Sequence, residues 1–139
     1  MHITYLHTDR AVDWKALRAD LALDGTHGGR SAAQLQQAFA DSDCVCLAVL
    51  QRNVVGTARA VSDSANRAYI ADVWTHPNLR RHGIATDMIS QLLEHLTGQH
   101  VYLFSDPQWS ALYTRFGFFP HKSGLNNALD KQLLERRPP

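Results

Sequence analysis

The chain has 139 residues, 14 basic against 13 acidic side chains and 45% apolar content. That length predicts one domain, residues 1–139, large enough to fold on its own core and too small to hold a separate cofactor domain. Balanced charge offers no footprint for nucleic acid or an anionic membrane, and the longest apolar run, Cys44–Leu50, is far short of the roughly 20 residues of a spanning helix.

Met1–Tyr5 lacks a basic and then apolar signal segment, and Ile3–Leu6 reads as a short strand. Val12–Leu23 reads as a helix, with Trp14, Leu17 and Leu21 on one face. Gly25, Gly28 and Gly29 make 24–29 a loop. Ser31 and Gln34 form a capping box that opens a second helix with Leu35, Ala38 and Phe39 on its apolar face. Cys44–Leu50 and Val54–Val61 are the arms of a hairpin turning at 51–53, and Arg67–Thr75 is the next strand, ended by Pro77. A helix runs from Gly83 to Leu96, with Ile84, Met88, Leu92 and Leu96 recurring every four positions. Val101–Phe104 is a strand, a helix runs from Pro107 to Gly117, and Phe118–Lys122 is the last strand, leaving 135–139 as a frayed tail. The order predicts a mixed, mostly antiparallel sheet with flanking helices, an α/β (α+β) fold in which the Gly83–Leu96 crossover makes one strand pair parallel.

Cys44 and Cys46 are two apart on one strand face and cannot bridge without strain, so the chain reads as a reduced, cytoplasmic protein. Eight histidines invite a metal reading, but no His-Glu-x-x-His pattern occurs and Cys44-x-Cys46 has no second half, so no metal site is expected.

The stretch Arg80-Arg81-His82-Gly83-Ile84-Ala85-Thr86 lies between a strand end and a helix start. The first amides of a helix lack intrahelical partners and carry positive potential, Gly83 allows close backbone approach, and two arginines add phosphate donors. These features describe an anion site suited to a pyrophosphate; a plain glycine loop with solvated arginines explains the same residues. A nucleotide P-loop is excluded because no Gly-Lys-Ser/Thr ending is present, and the dinucleotide fingerprint because Gly83 stands without two spaced partners.

A second stretch decides between these readings. Arg80-x-x-Gly83-x-Ala85 resembles the Arg/Gln-x-x-Gly-x-Gly/Ala signature of the GNAT N-acetyltransferase superfamily, and Leu112-Tyr113-Thr114-Arg115-Phe116-Gly117-Phe118 resembles its Leu-Tyr-x-x-x-Gly-Phe segment, at a similar interval. The resemblance covers Cys44–Lys122 well and the N-terminal helices loosely. It implies that the fourth and fifth strands splay apart and that acetyl-CoA lies between them. Backbone groups of Val73, Trp74 and Thr75 would bond the pantetheine arm. The loop from Arg80 through Arg81, His82, Gly83, Ile84 and Ala85 to Thr86 would hold the pyrophosphate. Asp106 stands where the family often has a pantetheine-binding asparagine, and Trp109 where a small residue is usual.

The resemblance further implies that Tyr113 protonates the leaving thiolate; a phenol is protonated at neutral pH and can act as a general acid. Asp72 is the candidate base, directly or through water, with a plain salt bridge as the competing reading. Arg59 and Asp63 on the preceding strand, and Trp14, Arg18 and the loop Gly25–Arg30, are candidates for acceptor recognition. His76 reads as a loop residue. The expected activity is direct transfer of acetyl to a primary amine of a small molecule or protein, by a monomer or homodimer; the competing reading is a GNAT-fold module that binds CoA without turnover.

Overall fold

The computed structural model describes residues 1–63, 65–127 and 130–139, so Ser64 in the expected turn before the third meander strand lies outside the described residues. The strands are β1 (Thr4–Leu6), β2 (Cys44–Leu50), β3 (Asn53–Ser62), β4 (Arg67–Thr75), β5 (His100–Ser105), β6 (Phe119–Pro120) and β7 (Gln132–Arg136). The helices are α1 (Trp14–Ala22), α2 (Ala32–Ala40), α3 (Ile84–His95) and α4 (Ser110–Thr114). The strands form one sheet in the order β1-β2-β3-β4-β5-β7-β6, in which β4 and β5 are the parallel pair.

Cys44–Leu50 is apolar throughout because both faces of β2 are covered. Cys46 and Ala48 join the core under α3, while Val45 and Leu47 face the opposite core of Trp14, Leu17, Leu21, Leu35 and Phe39. Small residues let α3 approach: a Cβ added at Gly56 would lie 3.0 Å from Met88 Cε and 3.1 Å from Ala48 Cβ. The two-residue turn between β2 and β3 has positive φ at both Gln51 and Arg52, as a twisted hairpin requires. Asp13 caps α1 by accepting from the Ala16 amide at 3.1 Å. The expected capping box of α2 is present, with Gln34 N to Ser31 Oγ at 3.1 Å and Ser31 N to Gln34 Oε1 at 2.8 Å. No described helix is long and apolar enough to cross a membrane.

Three expectations at the C-terminal end are corrected. The expected helix from Pro107 to Gly117 is a 3-10 turn, Pro107–Trp109, followed by the short α4. The strand expected at Phe118–Lys122 is only Phe119–Pro120. Of the tail expected to fray, 135–139, Glu135 and Arg136 instead end β7, which inserts between β5 and β6, while 137–139 are exposed and carry no regular structure. Leu134 joins the α3 core, and Glu135, only 6% exposed, lies 2.9 Å from His100 Nε2. Leu, Glu and Arg are good helix formers in isolation; pairing with β5 along Val101–Ser105 overrides that preference.

Candidate active site

Strands β4 and β5 pair only from Arg67↔His100 to Tyr69↔Tyr102, although β4 continues to Thr75 and β5 to Ser105. The separation coincides with a bulge in β4, where the register against β3 shifts between Thr57 and Arg59 and Asp72 takes a φ of 53°. A bulge bends its strand and raises the local twist. Thr57 Oγ1 locks the kink by donating to the Asp72 carbonyl at 2.7 Å. The gap opens into a groove of about 860 Å³.

Backbone alternation selects what β4 offers this groove. The His76 amide donates to Val55 O on the β3 side at 2.8 Å, and Trp74 is in register with Thr57. Val73 and Thr75 therefore turn their backbone groups toward the gap, whereas those of Trp74 face β3. This corrects the expectation that all three residues present free backbone groups there; the Trp74 ring belongs to the α1/α2 core. The Thr75 carbonyl already accepts from Arg80 Nε at 3.2 Å.

The loop 80–86 turns on two residues with left-handed backbone. Arg81 and Gly83 have φ of 68° and 79°, and a Cβ placed on Gly83 would meet nothing within 4 Å. The first backbone bond of α3 is Asp87 N to Gly83 O, so the amides of residues 84–86 ahead of it have no intrahelical carbonyl to bond. His82 Nδ1 sits 3.0 Å from Arg80 O and stabilises the loop from within. Arg80 is a brace: Nη2 pairs with Asp24 Oδ2 at 2.6 Å, and the guanidinium lies over the Trp109 ring at 5.7 Å. Trp109, Ile84, Ala85 and Thr86 also line the groove. Arg115, named only within a motif, is brought to the Thr86 hydroxyl at 2.8 Å.

Tyr113 lines the groove, 6% exposed, packed edge-on against Phe118. Its hydroxyl has no hydrogen-bond partner among the described residues. Burial, helped by the negative charge of Asp106, pushes its phenol well above the ordinary value. Asp106 also lines the groove, with Lys131 Nζ 3.9 Å from its carboxylate.

Asp72 is doubly engaged. Arg30 Nη2 donates to Oδ1 at 2.7 Å and Nη1 to Oδ2 at 3.0 Å, and Arg59 Nε donates to Oδ2 at 2.7 Å. Burial alone would raise this carboxyl; the two guanidiniums outweigh it and hold it below the usual carboxylate value. A carboxylate held this way is a poor proton acceptor, which runs against the base role expected of Asp72 and favours the salt-bridge reading. Arg30 fell inside the expected acceptor loop but carries no local signal that it meets Asp72.

The other acceptor candidates separate. Arg59 lines the groove over the Phe39 ring at 5.9 Å. Arg18 stands one step back, with Nε donating to Arg30 O at 3.0 Å. Trp14 is a core residue packed on Phe39. Asp63 is a turn anchor: one oxygen accepts the amides of Ala65, Asn66 and Arg67, away from the groove. His76 Nδ1 caps the following 3-10 turn through the Asn78 amide. Among the described residues no cluster of three or more His, Cys, Asp or Glu could hold a metal ion.

The fold matches solved structures along nearly its whole length. A coenzyme A complex of aminoglycoside 6′-N-acetyltransferase superposes with a TM-score of 0.79 at 17% identity, covering 99% of this chain and 97% of that one. A GNAT-family protein from Xanthomonas campestris pv. campestris gives 0.77 at 23% identity, covering 94% and 95%. In sequence, the chain is 32% identical over 75 residues to the uncharacterized N-acetyltransferase ycf52 of Gracilaria tenuistipitata var. liui, covering 52% of this chain and 41% of that protein. The Porphyra purpurea protein of the same name is 29% identical over 89 residues, covering 58% and 51%. The matches thus span about half the length of these relatives. The family model for the acetyltransferase (GNAT) family matches residues 12–118, which contain the splayed strands, the anion loop and Tyr113, and the chain belongs to that family.

Proposed function

We propose that the chain transfers an acetyl group from acetyl-CoA to a primary amine, both bound in the groove at once. The observation that carries this reading is the pairing of an open amide cradle at Gly83 with a protonated phenol at Tyr113 in one groove. The residues fit the cofactor. The first-turn amides of α3, 84–86, suit a pyrophosphate, and the backbone of Val73 and the Thr75 amide suit an extended amide-containing arm. When bound, acetyl-CoA supplies a thioester whose acetyl carbon is electrophilic toward an amine.

The residues divide the remaining work. Tyr113 holds a proton on Oη at neutral pH and supplies it to the departing sulfur. Asp72, with both oxygens engaged, orients Arg30 and Arg59 and leaves the proton of the attacking amine to water in the open groove. Trp109 and Asp24 fix Arg80, which keeps the anion loop against the end of β4.

Thiol release from acetyl-CoA across a panel of primary amines tests this. Release coupled one-to-one to N-acetylated product is expected. Calorimetric binding of CoA with no thiol release from any amine would replace it with the binding-module reading, which the fully engaged Asp72 carboxylate favours.

A further inference from the structure

We propose that the preferred acceptor is an amine that also carries a carboxylate, and that Arg59, with Arg30, sets this preference. The inference rests on the acetyl-transfer reading and names its acceptor class. It begins with the charges that line the groove. Among the described residues these are Arg30, Arg59, Arg80, Arg81 and Lys131 against Asp24, Asp72 and Asp106. Asp24 is taken by Arg80 and Asp106 lies near Lys131. Asp72 is left as one carboxylate between two guanidiniums, so this cluster keeps a net charge of +1.

The surplus charge has an identifiable donor. Arg59 uses Nε on Asp72 and Nη1 on Ser42 Oγ at 3.3 Å, and its Nη2 has no partner among the described residues. The Ser42 hydroxyl itself donates to Ala38 O at 2.8 Å. Phe39 below and the Asp72 carboxylate at Nε hold the guanidinium in one orientation, largely withdrawn from water. Arg59 lies between Ala58 and Ala60, both in the α3 core, so its side chain emerges on the face that carries α1 and α2. A pre-oriented guanidinium with one nitrogen, Nη2, still free to donate favours a carboxylate. The groove offers the opposite kind of acceptor much less. Every carboxylate that lines it among the described residues already lies against a cation, so a second ammonium group finds no free anion.

The test compares acceptors of similar size and branching at the amine by thiol release: γ-aminobutyrate against butylamine, alanine against isopropylamine, and putrescine as the dication. In parallel, the same compounds are titrated calorimetrically into the CoA-saturated protein. At least one carboxylate-bearing member is expected to exceed its plain amine by on the order of tenfold in kcat/KM, mainly through KM, and putrescine to be the poorest. The advantage should shrink as salt is raised. It should collapse in Arg59→Gln and survive in part in Arg59→Lys, which keeps the charge. Equal use of carboxylate and plain amines, or preference for putrescine, overturns the proposal. If no compound releases thiol, acetyl transfer fails instead, and the binding titration alone decides the preference: equal or absent binding overturns it.

Discussion

Arg30 and Asp72, 42 residues apart in the chain, meet in a two-pronged ion pair, with Nη2 to Oδ1 at 2.7 Å and Nη1 to Oδ2 at 3.0 Å. The pair ties the loop between α1 and α2 to the kink in β4 that opens the groove. Asp72 thus joins three things: a bulged backbone, the glycine loop through Arg30, and the guanidinium of Arg59.

Asp72→Asn should preserve the left-handed backbone, which asparagine tolerates, while leaving two guanidiniums without their charge partner. The side chain is only 20% exposed, so the expected loss is about 1–3 kcal/mol, between surface and buried pairs. The folded carboxyl is held below its unfolded value of about 3.9. Its contribution is therefore fully present above that value and is lost as pH falls through the lower, folded value. Urea midpoints of the two proteins should differ at pH 7 and converge under strongly acid conditions.

Tyr113→Phe removes a hydroxyl with no described hydrogen-bond partner, so stability should change little. Turnover should fall by roughly 10²-fold or more while CoA affinity is retained, as expected for a lost general acid. Because the phenol lies above its ordinary value, the wild-type rate should show no loss from Tyr113 ionisation up to about pH 10. Single-turnover rates against pH, with CoA binding by calorimetry, check both statements.

Gly83→Ala and Gly56→Ala form a matched pair. At Gly83 the added methyl finds open space but a φ of 79°, so the backbone bears a cost of about 1–2 kcal/mol. At Gly56 the methyl meets Met88 and Ala48 at 3.0–3.1 Å, for a packing cost of about 1–3 kcal/mol. Melting temperatures should drop in both. Only Gly83→Ala should weaken CoA binding, on the order of tenfold, because only there does the methyl enter the amide cradle.

Leu134→Ala tests the late strand. Leu134, just ahead of the expected tail, is buried in the α3 core and paired in β7. The expected loss is about 2–5 kcal/mol, read from the urea midpoint.

Much of the site is legible in local chemistry. The turn at Gly83 into α3 is legible because a helix start and a positive φ are local properties. Tyr113 is legible through the Leu-Tyr…Gly-Phe segment around it. The hairpin, the capping box of α2 and the face of α3 follow from turn chemistry and periodicity. The partners of Asp72 are different: nothing within ten residues of Arg30 or Arg59 marks them as neighbours of that carboxylate.

By itself the sequence determined the elements whose energetics are short-range, namely the capped helices, the apolar two-faced β2 and the glycine turn that opens α3. Tertiary structure decided the rest. It made a helix-favouring Gln132–Arg136 into a strand, because the free edge of β5 offered hydrogen bonds and the α3 core offered Leu134 a place. It separated Val73 and Thr75 from Trp74, because a bulge at Asp72 sets which backbone groups face the gap. And it set Asp72, the candidate base, between two guanidiniums, because two arginines distant in the chain converge on its oxygens, and charge pairing depends on distance in space.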